Sequence, residues 1–198
     1  MDNLDKLNTL NNYIRIYDDI LPTTTLNKFL KICKNNKNFM QGGIVGDTVE
    51  GSINTKIRNA LVWDLINNEA EESKTNIHWC NFWIFFFNKY LKKYEQDIEV
   101  NTRAALNTIQ VLKYMNNGHY NLHVDHGQSI PRTLSFIFFV NDYYEGGELS
   151  FALPNFLGTS SVEKKKNRMI IWPSNFLYPH GVEPVTQGTR YSVVAWAL

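Results

Sequence analysis

Hydrophobic and polar positions follow two regimes along the chain, with the change near Asn101. Before it, helical spacing dominates. Tyr13-Ile14-Arg15-Ile16-Tyr17 alternates with period two and predicts a short strand. Pro22 and a Thr run then open a helix whose Leu26, Phe29, Leu30 and Cys33 share one face, and Asn35-Asn36 close it. Gln41 to Ser52, with Gly42, Gly43, Gly46 and Gly51, reads as a flap or a loop. Ile57 to Leu65 predicts a strand, in which Arg58 is either a site residue or a surface charge. From Glu69 to about Asp97 the apolar positions Trp79, Trp83, Phe86, Phe87 and Leu91 recur at three- and four-residue steps, with Lys92-Lys93 towards the C-terminal end. That stripe predicts the main supporting helix, its aromatic face turned to a sheet as core.

After Asn101 the runs shorten and become β-type: Leu106 to Tyr114, Tyr120 to Asp125, Thr133 to Asn141, Glu148 to Phe151, Arg168 to Trp172, Leu177 to Val182 and Arg190 to Ala197. Clusters of Gly, Pro, Asn and Asp separate them, so about seven or eight strands are expected, preceded by helices. The pattern predicts a mainly β fold with supporting helices (α+β), a sandwich or jelly roll covered on one side. Residues 1–198 read as one domain, with 1–100 as a helical support region carrying short strands and 101–198 as the jelly-roll core.

Composition narrows the function. Hydrophobic residues make up 43% of the 198 positions and formal net charge is +1, which suits a globular core and no nucleic-acid partner. Lys164-Lys165-Lys166, the one basic run, lies in a polar stretch and reads as a solvated loop. The most apolar stretch, Trp83 to Phe87, is far too short to span a bilayer, so no membrane partner is expected. Met1 is followed by Asp and Asn rather than by a signal sequence, and Cys33 and Cys80 read as free thiols. A reducing, cytoplasmic location is expected.

The chemistry gathers between Tyr114 and Asp125. On a strand, His123 and Asp125 would lie on one face with Val124 on the other. Downstream come His180 and Arg190. Two histidines and a carboxylate are the ligand set that holds Fe(II) and leaves positions open. His126 is a rival ligand, turned away by the same alternation; His119 reads as exposed in an Asn-Asn-Gly loop, and His78 as structural at a helix start.

The ordered set Tyr114, Gly118, Tyr120, His123-x-Asp125, Gly146-Gly147-Glu148, His180 and Arg190-x-Ser192 resembles the Fe(II)/2-oxoglutarate dioxygenases. Within them it is most similar to the prolyl 4-hydroxylase-like branch. The likeness is clear over the C-terminal half and loose from Ile14 to Cys33. It implies a double-stranded β-helix (jelly-roll) core with iron held by His123, Asp125 and His180. It also implies 2-oxoglutarate and O₂ as co-substrates, with ascorbate as a further cofactor that the resemblance allows. Arg190 would grip the distal carboxylate of 2-oxoglutarate as a bidentate fork. Tyr114, Ser192 and Ser135 are expected to contact the same co-substrate. Arg132, Trp196 and Tyr120 resemble residues that touch a peptide, so the implied partner is a proline-containing peptide or protein.

Two departures stand out. Phe138-Phe139 occupies the place where many relatives carry Tyr, and Leu149 the place where collagen-type members carry Thr. Both changes remove a hydroxyl from the co-substrate carboxylate. Other readings keep the mechanism on a free amino acid or other non-prolyl substrate, or take the chain as a non-catalytic jelly-roll binding module. A zinc hydrolase would accept the same ligands. It has no use for Arg190, and the sequence offers no convincing general base.

Overall fold

The computed structural model describes residues 10–44, 52–66, 74–153 and 158–198. Among them the centre is β14 (Arg190–Ala197), which lies between β5 (Leu106–Tyr114) and β7 (Leu134–Phe139). The seven-stranded sheet continues outward through β11 (Arg168–Pro173) to β1 (Arg15–Tyr17) on one side, and through β4 (Leu61–Asp64) to β2 (Met40–Gln41) on the other. A second sheet runs β10 (Thr159–Val162), β9 (Leu149–Ala152), β12 (His180–Val182), β6 (His119–His123) and β3 (Arg58–Asn59). A small ribbon joins β8 (Glu145–Gly146) to β13 (Val185–Gln187). The pairings are antiparallel throughout.

Every residue of β7 and of β14 is buried, because the large sheet is covered on both faces. Alternation then sorts side chains between two cores rather than between core and water. Val111, Phe136, Phe138, Ile171 and Val193 face the helices. Leu112, Ile137, Phe139, Trp172 and Val194 face Leu149, Phe151 and Val182 of the second sheet. This is a jelly roll buttressed by helices, the expected fold class.

The helices are α1 (Thr23–Asn35) and α2 (Lys74–Ile98). The aromatic stripe on α2 makes the predicted contact: Trp83 and Phe87 meet Phe138 and Phe136 with ring centroids 5.2 and 5.6 Å apart. Phe29 of α1 stacks against Trp79 and Trp83 at 4.7 and 4.9 Å, tying α1 to α2. Each such fully buried ring contributes roughly 1.5–3 kcal/mol. Among the described residues no helix is long and apolar enough to cross a membrane.

Several expected boundaries move. The run from Ile57 to Leu65 is not one strand: it breaks at Ala60, and its halves β3 and β4 join different sheets. The strand expected from Leu177 reduces to His180–Val182, because Asn175 to Leu177 form a turn closed by the Asn175 side chain on the Leu177 N–H at 3.0 Å. The strand expected from Glu148 is Leu149–Ala152. Strands β8, β10 and β13 were not anticipated; they are short and largely polar, without a readable period. The expected helix start at Glu69 lies outside the described residues, as does the 45–51 part of the Gly-rich segment.

Candidate metal centre and co-substrate pocket

Strand β6 carries an irregularity that shapes the site. His180 pairs with His123 and Val182 with Tyr120, so three steps on β6 oppose two on β12. Such a bulge turns residues at odd spacing to one face. The Tyr120 and His123 rings accordingly stack, centroids 3.6 Å apart at 19°. Gly181 opposite the bulge permits this close approach, since a Cβ there would lie 2.8 Å from the Tyr120 carbonyl oxygen. The strand ends at His123, not at Asp125 as expected. Asp125 follows in a bend, so its meeting with His123 is set by chain reversal rather than by strand period.

One ligand atom from each of His123, Asp125 and His180 lies within 4.8 Å of the others. His123 Nε2 is 3.6 Å from Asp125 Oδ1, and His180 Nε2 is 3.3 Å from Asp125 Oδ2. Both Nδ1 atoms face carbonyl oxygens: Asn121 O at 2.8 Å and Tyr178 O at 3.1 Å. A carbonyl can only accept, so each Nδ1 carries a proton and Nε2 is the ring atom left on the inward side to bind a metal. Burial lowers the His123 pKa, favouring the neutral ring that a metal needs. Burial opposes ionisation of Asp125, but the neighbouring His180 and His123 rings outweigh it and hold the carboxyl well below its ordinary range. His126 bonds the Arg132 carbonyl at 2.8 Å and is not one of the three grouped residues.

Asp125 is held from behind. Ser135 donates to Oδ2 at 2.6 Å, and Ser174 lies 2.7 Å from Ser135 Oγ. The Ser135 hydroxyl was expected on the co-substrate; its proton is instead committed to the carboxylate, which leaves Ser174 as donor to Ser135. Arg132 Nη1 stands 3.7 Å from Asp125 Oδ1, with its guanidinium 4.0 Å from the centre of the Trp196 ring.

His123, Asp125, His180, Arg132 and Trp196 line a cavity of about 660 Å³ between the sheets, together with Tyr114, Tyr120 and Leu149. Arg190 pairs across strands with Tyr114, its guanidinium 5.0 Å from that ring and 5.4 Å from Phe139. It is fully buried. Among the described residues its Nε, Nη1 and Nη2 find no hydrogen-bond partner, nor does the equally buried Ser192 Oγ. An uncompensated buried cation is strongly unfavourable unless an anion joins it. Arg190 is fixed in place by two features that sequence reasoning missed. Asn141, wholly buried, donates to the Thr189 carbonyl at 2.8 Å and accepts from the Tyr191 N–H at 2.8 Å. Gly147, at φ +67°, leaves room for the arginine, whose Cδ would lie 3.2 Å from a Cβ there. A buried Asn closing a strand is legible only as a loop residue in sequence.

The stretch 109–198 matches the family model described as "2OG-Fe(II) oxygenase superfamily". That match takes in a little under half of the chain. A PKHD-type hydroxylase of Crocosphaera subtropica is 35% identical over 98 residues, 46% of this chain and 42% of that relative. Human prolyl 3-hydroxylase 2 is 39% identical over 66 residues, 33% of this chain and 9% of the relative. The chain thus spans less than half the length of these curated relatives. A Pseudomonas putida prolyl-4-hydroxylase crystal structure shares the fold at TM-score 0.71 and 17% identity, covering 98% of this chain and 95% of that one.

The superfamily implies Fe(II), 2-oxoglutarate and O₂, and the residues present fit them. Two imidazoles and a carboxylate make a ligand set of the facial-triad type. The unpaired donors of Arg190 and Ser192 suit a carboxylate. Of the two lost hydroxyls one has a neighbouring stand-in: Ser192 is the cross-strand partner of Phe139, whereas Leu149 contributes only apolar wall.

Proposed function

We propose that the chain is an Fe(II)- and 2-oxoglutarate-dependent dioxygenase that hydroxylates a prolyl residue of a peptide or protein. The observation that carries this reading is the fully buried, unpartnered Arg190, packed against Tyr114, which lines the same cavity as His123, Asp125 and His180. His123, Asp125 and His180 would hold the iron, and Arg190 with Ser192 would receive the distal carboxylate of 2-oxoglutarate. Bound iron, 2-oxoglutarate and O₂ together supply the oxidant for an unactivated C–H bond, with succinate and CO₂ as co-products.

The chain's own part is orientation and exclusion of water. Ser135 keeps the Asp125 carboxylate from rotating, while Tyr120 braces the His123 ring. Tyr114 lines the cavity and offers a ring face to the arginine. Arg132 flat on Trp196 makes a rigid wall with a donor edge, which suits a proline ring and a backbone carbonyl. The names of the prolyl hydroxylase relatives support the prolyl substrate. Residues 1–198 are read as one working unit, because β2, β3 and β4 from the support region extend both core sheets. The free thiols Cys33 and Cys80 suit a reducing cytoplasmic setting.

The test is succinate release with Fe(II), 2-oxoglutarate and ascorbate across proline peptides, with mass analysis for one added oxygen. His180→Ala is expected to abolish both signals. Undiminished turnover in that variant refutes the reading.

A further inference from the structure

Arg58 has no part in the chemistry described so far, yet it lines the same cavity. It opens β3, where its cross-strand partner is Tyr120, and its guanidinium carbon lies 4.9 Å from the Tyr120 ring centre. Only 9% of its surface is exposed. Nη1 donates to the Gly43 carbonyl at 2.8 Å. Nε is buried and meets no hydrogen-bonding partner among the described residues. Gly42 allows the packing, since a Cβ there would stand 3.2 Å from that nitrogen. One carbonyl is poor satisfaction for a group with so many N–H donors.

Arg132 is the second cation of this wall. Its guanidinium lies 4.0 Å from the centre of the Trp196 ring, with Nη1 3.7 Å from Asp125 Oδ1. Arg58, Arg132 and Tyr120 line the same cavity. Two carboxylates line the cavity with them among the described residues: Asp64 accepts from Gln110 at 3.2 Å, and Asp125 accepts from Ser135 and stands beside Arg132. The buried Nε of Arg58 keeps an unfilled donor in partly desolvated surroundings, where an entering anion is attracted.

We propose that Arg58 and Arg132 flank Tyr120 as an anion subsite that selects peptides bearing a carboxylate close to the target proline. The proposal rests on the peptide-hydroxylase reading above and adds the substrate class. A carboxylate there accepts a charge-assisted hydrogen bond from the unfilled Arg58 donor and is attracted by both guanidiniums. A neutral peptide makes neither gain. The carboxylate comes from an Asp or Glu side chain or from a peptide C-terminus.

The test uses the full chain and short acetylated peptides, each with one proline in an Ala–Ser background. Glu or Gln is placed in turn at each position beside the proline, with the C-terminus amidated in one arm and free in the other. Binding is read by anisotropy on protein loaded with Mn(II) and 2-oxoglutarate, and KM and kcat by succinate release on the iron form. At one position, or in the free-C-terminus arm, the carboxylate is expected to tighten Kd and lower KM by about tenfold or more, the factor a charge-assisted hydrogen bond carries. Arg58→Gln should erase that preference and Arg58→Lys should keep part of it, with folding of each variant checked by its thermal shift on adding 2-oxoglutarate. Equal binding of Glu and Gln peptides everywhere overturns the proposal, as does a preference that survives Arg58→Gln. Turnover without preference removes the subsite and leaves the hydroxylase. An Arg58-dependent binding preference without turnover keeps the subsite and removes the hydroxylase.

Discussion

Replacing Arg190 with Met is expected to make the ligand-free protein more stable, not less. The side chain has no exposed surface, and its three nitrogens meet no hydrogen-bonding partner among the described residues. A cation held this way costs several kcal/mol in desolvation. The faces of Tyr114 and Phe139, at 5.0 and 5.4 Å, offset about 2 kcal/mol each. Met fills much of the same volume without charge, for a net gain of about 1–3 kcal/mol. In a chain of 198 residues each kcal/mol moves Tm by about 2–4 °C, giving a rise of about 2–12 °C. The wild type should recover the difference once the anion arrives: 2-oxoglutarate at roughly 100 times its Kd adds about 2.7 kcal/mol. The assay is a thermal melt of Mn(II)-loaded protein with and without 2-oxoglutarate. The wild type should shift and Arg190→Met should not. A variant that melts below wild type and still gains the full 2-oxoglutarate shift refutes the reasoning, because Arg190 would then be a structural cation.

Two further outcomes follow from contacts around the site and on the surface. Ser135→Ala should weaken Mn(II) binding about 10–100-fold, as loss of a group that orients a metal ligand does, with Ser135→Thr close to wild type; an unchanged Kd by Mn(II) titration sinks this role. Hydrogen bonds from Arg168 and Lys165 hold Asp18 at about 2, below its ordinary 3.8, so its stabilising effect is present above 3.8 and fades as pH falls through about 2. Because 35% of the Asp18 side chain is exposed, Asp18→Asn should cost only about 0.5–1 kcal/mol at neutral pH. A Tm gap that stays constant down to that acid limit contradicts the pairing.

How much of this was legible in the sequence depends on where the signal resides. The aromatic face of α2 was legible because Trp79, Trp83, Phe86 and Phe87 are large and periodic, and each packs where its spacing placed it. The interior of β14 was legible for the same reason: an eight-residue buried run reads as a central strand. Short polar strands such as Thr159–Val162 exist only because β9 offers them a hydrogen-bonding edge. No local propensity encodes that edge. Arg58–Asn59 and Leu61–Asp64 look continuous in sequence, but two sheets compete for them, and the chain divides at Ala60 to serve both.

The site shows the same division between what residue type carries and what only folding creates. The order of His123, Asp125, His180 and Arg190 could be read because each needs a side chain of one chemical kind. The means of bringing them together could not. Period two was expected to place Asp125 beside His123, whereas a bulge at Tyr120 to His123 and a bend beyond it do so. Ser135 shares its face of β7 with Ile137 and Phe139, and nothing in that alternation says whether its hydroxyl meets a ligand or another residue. The 2.6 Å bond to Asp125 decides it, and that bond depends on a chain bend ten positions earlier in sequence. Arg58 was ambiguous for the converse reason. An arginine beginning a short strand reads as surface until Tyr120, Gly42 and Gly43 close around it and leave its Nε buried with no partner among the described residues. Charge identity is thus a property of sequence, but whether a charge is satisfied is a property of the fold. At Arg190 and Arg58 it is the unsatisfied charge that points to a ligand.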